Sequence, residues 1–153
     1  MAEGSRLGID WGKARIGVAA ANAGTSFAYP VETVAAGPSE LLRLSELVVE
    51  YQAQVVYVGF PLTLSGERGP AAQFVGAKAG ELARLIAPVQ VRLVDERMST
   101  VQASRSLGAV GRRVKQQRQV IDQAAAVEIL QRSLDAEDRE GAPTGEPPLE
   151  EDA

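Results

Sequence analysis

The sequence predicts an α/β domain built on a mixed β-sheet flanked by helices, and three observations carry that expectation. Two stretches of period-two alternation open the chain, two later apolar runs are each preceded by a helical pattern, and a long helical stretch follows. Strands joined by short turns should pair antiparallel, whereas strands joined by crossover helices should run parallel.

Taken in order, residues 6–11 (RLGIDW) alternate apolar with small or polar positions, Gly12-Lys13 interrupts, and residues 14–20 (ARIGVAA) resume the alternation, which reads as a β-hairpin. A third strand is expected over residues 28–34. After Gly37-Pro38, Leu41, Leu44, Leu47, Val48 and Tyr51 share one helical face. The run VVYVG at 55–59 reads as a buried strand, and residues 60–70, with two Pro and two Gly, as a loop. A second helix is expected over 70–86, closed by Pro88, and a further strand over 89–96. Ser99 and Gln102 have capping-box spacing for a short helix, the glycine-rich basic stretch 108–118 is expected to be mobile, and 120–134 reads as the last helix. Beyond it the chain is rich in Pro, Gly and Glu. The domain is therefore expected to span residues 1–134, with 135–153 an acidic, disordered tail.

Composition removes whole classes of chemistry. The chain has no Cys and no His, so disulfides, thiolate nucleophiles and imidazole bases are excluded, and a zinc site is disfavoured. A metal would have to be held by oxygen, which suits Mg2+ or Mn2+. The start MAEGSRLGID lacks a secretory apolar core and no apolar run approaches the roughly 20 residues of a membrane span, so no membrane association and a cytoplasmic location are expected. The net charge of −4 conceals an asymmetry. Residues 135–153 hold eight acidic side chains and one basic, which leaves the remainder at +3 and compatible with a polyanionic partner.

Three acidic points stand out. On the first strand Asp10 shares a face with Gly8 and Gly12, away from Leu7, Ile9 and Trp11; flanking glycines would leave room for a hydrated metal or a phosphate. The plainer reading is an aspartate that starts the turn at Asp-Trp-Gly. Asp95-Glu96 ends a later strand, where ligand sites of α/β sheets gather. Parity places Glu96 on the more polar face and makes it the preferred ligand, with Asp95 the alternative. Asp122 lies near the start of a helix that is apolar almost all round; it needs a partner, a metal or solvent there, or simply complements the helix dipole. Carboxylates from a first strand, a later strand and a final helix could converge on one or two metal ions and hydrolyse a phosphodiester.

In order and spacing, IDWGKARIGVA (9–19), VGFPLTLSG (58–66), DERMST (95–100) and IDQAAAVEIL (121–130) resemble the YqgF/RuvX family of ribonuclease-H-like proteins over residues 6–134. The resemblance implies a ribonuclease-H-like fold, a relation to Holliday-junction resolvases of the RuvC type, and a role in maturing the 5′ end of pre-16S ribosomal RNA. It matches Asp10 to the family's first-strand aspartate, Asp95-Glu96 to its Asp-Glu-Arg motif and Asp122 to its final acidic residue.

Basic residues near these points are candidate contacts to nucleic acid. Arg97 directly follows the carboxylates and could reach the scissile phosphate or pair with Asp95 or Glu96. Lys13 and Arg15 sit at the hairpin turn, while Arg105, Arg112, Arg113, Lys115 and Arg118 form a run without acidic residues, suited to salt-sensitive phosphate binding. The loop 59–66 could offer backbone amides and Ser65 to a phosphate. Aromatic residues make up only 5%, so recognition should work through backbone and shape in structured RNA or branched DNA. A non-catalytic ribosome-assembly factor and an actin-like ATPase are the rival classes; the second needs two such domains, and the chain has one and no G-x-x-x-x-G-K-[ST] loop. Junction resolution would require a homodimer with two active sites.

Overall fold

The alternation of the first twenty residues folds as its period requires. In the computed structural model, which describes residues 4–96 and 115–148, β1 (Ser5–Trp11) and β2 (Arg15–Ala21) form a hairpin closed by a Gly12 N–H to Arg15 C=O bond of 3.0 Å. β3 (Tyr29–Ala35) follows antiparallel to β2. Helix α1 (Glu40–Glu50) leads into β4 (Ala53–Phe60), and α2 (Pro70–Ile86) into β5 (Gln90–Asp95). The last helix, α3, spans Lys115–Glu140. The sheet order is β3-β2-β1-β4-β5, with β4 parallel to both β1 and β5, the mixed topology expected of a hairpin followed by two crossovers. The expected short helix at Ser99 and mobile stretch 108–118 fall outside the described residues, save for the start of α3.

Parity decides which side chains meet which helix. Leu7, Ile9, Trp11, Val56, Val58, Val91 and Leu93 point to one face, where Leu44, Leu47, Val75, Ala79 and Leu82 of α1 and α2 complete the larger core. The opposite face carries Ala19, Ala21, Val55 and Tyr57 against Ala126, Leu130 and Leu134 of α3. Ala19 and Ala21 on the sheet and Ala126 on the helix let α3 settle close to it. Gly8 shows how close: a Cβ there would lie 2.6 Å from Leu130 Cβ and 3.0 Å from the Ala126 carbonyl oxygen.

The C-terminal region differs from the expected disordered tail. α3 continues to Glu140 because its buried stripe continues: Leu130, Leu134 and Glu137 recur at helical spacing, and Glu137 is taken by a buried partner. Arg6, itself buried, grips Glu137 with two bonds of 3.0 and 3.1 Å, and the Tyr57 hydroxyl donates to the same carboxylate. After Gly141 the chain returns along β5. Leu93 and Glu146 exchange backbone hydrogen bonds of 2.6 and 3.0 Å, and the Arg92 guanidinium holds the Thr144 and Gly145 carbonyls. Gly145 has φ +79° and lies so near β5 that a Cβ would come within 2.5 Å of the Leu93 carbonyl oxygen. Low apolar content suggested disorder, but a salt link and an open sheet edge order this segment as far as residue 148.

Candidate active site

The three acidic points of the sequence arrive on one face of the sheet, the face covered by α3, and glycines decide how. Asp10 on β1 pairs with Gly17 of β2. A Cβ on Gly17 would collide with the Asp122 carbonyl oxygen at 2.1 Å and approach Asp122 Cβ at 3.3 Å, so α3 delivers Asp122 directly over this bare position. On the other side of β1, Ile9 pairs with Val58, which sets Gly59 beside Asp10 in the same register. There a Cβ would stand 2.9 Å from Glu96 Oε2 and 2.6 Å from Ile129 Cδ1. Paired positions of adjacent strands lie about 5 Å apart. Asp10 is thus flanked laterally by two glycines, one beneath Asp122 and the other beneath Glu96.

This corrects the reason for the space around Asp10. Gly8 and Gly12, the glycines two residues away along the strand, leave no room for a metal or phosphate. Leu130 and Ala126 fill the position over Gly8, and the Arg15 carbonyl oxygen lies 2.6 Å from a Cβ on Gly12. The relevant glycines stand on neighbouring strands. Their sequence signal is an isolated Gly inside a strand pattern, in RIGVA and at the end of VVYVG, which marks close approach of another element.

Asp10 is 7% exposed and Glu96 3%, so both carboxylates sit in the lowered dielectric beneath α3. Asp95 lies on the other parity of β5 and is exposed. Asp122 accepts a 2.7 Å ion pair from Arg15 Nε. The hairpin therefore sends its two basic residues apart: Arg15 faces Asp122, while the Lys13 ammonium lies 5.7 Å over the Phe74 ring of α2. Ser65 donates to Glu67 at 3.1 Å within a turn closed by Gly66 N–H to Thr63 C=O at 2.8 Å, so its hydroxyl serves the loop itself. Arg97, Arg105, Arg112 and Arg113 lie outside the described residues, and Lys115 and Arg118 are described only as part of the α3 backbone.

As donors for a metal the set is consistent in kind, all carboxylate oxygen, and the Gly59 position seats the Glu96 carboxylate on bare backbone beside Asp10. Among the described residues no three acidic side chains are close enough as they stand to share one ion. Asp122 is engaged by Arg15.

A mixed five-stranded sheet of this order, flanked by helices on both faces, is a ribonuclease-H-like fold. Two solved structures of Thermus thermophilus RuvC, one in complex with a Holliday junction substrate, match it with TM-scores of 0.56 and 0.55 at 20% and 22% identity, covering 95% of this chain and 99% of theirs. A family model, RuvX, described as Holliday junction resolvase, matches residues 4–136, and the chain belongs to this family. Relatives named "Putative pre-16S rRNA nuclease" include one from Thermobifida fusca, 49% identical over 155 residues that cover 95% of this chain and 96% of its own. Another, from Streptomyces avermitilis, is 52% identical over 148 residues, 95% of each chain. The Mycobacterium leprae relative is 55% identical over 134 residues, 86% of this chain and 73% of its own. The family is thus named for nucleases, hydrolases acting on phosphodiester bonds. No helix among the described residues is long and apolar enough to cross a membrane.

Proposed function

We propose that this chain is a cytoplasmic, divalent-metal-dependent nuclease that hydrolyses phosphodiester bonds in structured nucleic acid, with the 5′ end of pre-16S ribosomal RNA as its target. The observation that supports this most is the gathering of Asp10, Glu96 and Asp122 on one sheet face over Gly17 and Gly59. Asp10 and Glu96 would hold Mg2+ or Mn2+, with Asp122 as the third ligand; the burial of Glu96 and the exposure of Asp95 favour Glu96 over its neighbour. When bound, the metal would activate water and neutralise the leaving oxygen.

The chain's own residues supply the rest. Arg15 balances Asp122 in the free protein; a substrate phosphate offers the same guanidinium a bidentate partner, which releases Asp122 toward Asp10. Lys13 at the hairpin tip, with Arg97, Arg112, Arg113 and Lys115, would hold phosphates on either side by charge rather than by sequence. Burial of Asp10 and Glu96 excludes bulk water from the reacting centre and strengthens every charge interaction there.

The names of the relatives favour ribosomal RNA. The family description favours a second reading, a four-way DNA junction, which would require two copies of the chain related by two-fold symmetry. Both are tested by incubating the pure protein and its Asp10→Asn variant with magnesium and either a structured 16S precursor RNA or a four-way junction. Cleavage of the RNA, lost in Asp10→Asn by more than the about 10–100-fold that removal of an outer-shell partner costs, is the expected result. Cleavage of the junction alone moves the assignment to the second reading. Undiminished cleavage by the variant overturns the mechanism.

A further inference from the structure

We propose that the cleft between α3 and the end of β5 is the track for a single-stranded flank of the substrate, gripped at two phosphates by Arg132 and Arg139. The inference rests on the nuclease reading and names the form of substrate it takes. A cleft of about 340 Å³ begins at Glu96, at the catalytic end of the sheet, and passes Arg132, Ser133 and Arg139 along α3. Its far wall is the returning chain at Thr144 and Gly145, whose carbonyls Arg92 fixes at 2.9 and 2.6 Å. A channel walled on both sides suits a single extended backbone.

The two arginines have no visible structural task. They stand seven residues apart, two helical turns and about 10 Å along one face of α3. Both side chains are exposed, and neither forms an ion pair or hydrogen bond with another described residue. By contrast Arg6, Arg15, Arg43 and Arg92 are all engaged. Attraction to the C-terminal end of the helix dipole would account for Arg139 but not for Arg132, two turns before that end. The acidic residues of the cleft are Asp95 and Glu96 at its β5 end and Asp135, which lies between the two arginines along α3 and accepts a 3.2 Å bond from Gln131. A strand whose scissile phosphate lies at Asp10 and Glu96 can continue down this channel and meet both guanidinium groups.

The test uses the full chain carrying Asp10→Asn, so that binding is read without cleavage. Affinity for a single-stranded RNA oligonucleotide and for a blunt RNA duplex is measured across a salt series, with and without Arg132→Ala plus Arg139→Ala. Losing two phosphate contacts should reduce the single-strand salt slope by about 1.4 and leave the duplex slope unchanged. Arg84→Ala, an exposed arginine outside the cleft, should change neither, and thermal melting should be the same for all variants. An unchanged single-strand slope, or equal losses on both probes, overturns the proposal while the nuclease reading survives. Failure of the parent protein to bind either probe overturns both.

Discussion

Gly17 and Gly59 contribute by having no side chain, and the two cases should respond differently to the same added methyl group. In Gly17→Ala the new Cβ meets backbone, the Asp122 carbonyl at 2.1 Å, so α3 itself must move. Overpacking of this kind costs about 1–3 kcal/mol. For a chain of this length that lowers Tm by about 2–4 °C per kcal/mol, and cleavage should fall further than the stability loss explains because Asp122 moves with the helix. In Gly59→Ala the new atom meets the mobile ends of Ile129 and Glu96, which can yield. A smaller Tm change is expected there, with a higher magnesium concentration needed for half-maximal cleavage. Melting curves and a magnesium titration of both variants check the pair; equal effects would discount the proposed seating of Glu96. At this scale the sequence was half legible. Strand parity separated Glu96 from Asp95 and placed Asp10 on the face away from Leu7 and Ile9. It could not say which glycines border Asp10, because lateral neighbours are set by register between strands, not by spacing along one.

The last helix ties the site to the rest of the sheet through a buried ion pair. Asp122 sits over Gly17, Leu130 over Gly8, and Glu137 between Arg6 and Tyr57, so one helix spans the sheet from the end that bears Asp10 to the start of β1. Glu137→Ala would strand Arg6, 5% exposed, without its counter-charge, a change that typically costs about 3–5 kcal/mol. Urea unfolding measures it; a loss below 1 kcal/mol would mean that the pair is idle. Burial, and then the hydrogen bond to Glu137, push the Tyr57 hydroxyl above its ordinary range. A group raised on folding contributes fully below its unfolded value and loses that contribution as pH climbs through the folded one. Stability should therefore fall above about pH 10, and Tyr57→Phe should flatten that fall. The helix was legible from its apolar run as far as Leu134. Its final turn and a half was not, since Glu137 reads as a tail charge until Arg6, 131 residues earlier, is placed against it.

Across the whole molecule, the order of alternating stretches, apolar runs and helical patterns was enough to expect the sheet topology, because hairpins and crossovers leave few arrangements open. The charge division was legible only in part: residues 135–148 count as acidic tail by composition, yet they complete a helix, wall a cleft and pair with β5. Deleting residues 141–153 should leave α3 and its ion pair intact while removing one wall of the cleft. A modest drop in Tm and weaker single-strand binding are the expected outcomes, measured by melting and anisotropy. The exchange of backbone bonds between Leu93 and Glu146 has a consequence for the protein in a crowded solution. Among the described residues β5 is the last strand on its side of the sheet, and an unblocked outermost strand is a template on which another molecule can add its own strand. The short returning segment occupies that template from within, so the shortened protein should polymerise at concentrations where the intact chain stays dispersed, a difference that light scattering would register.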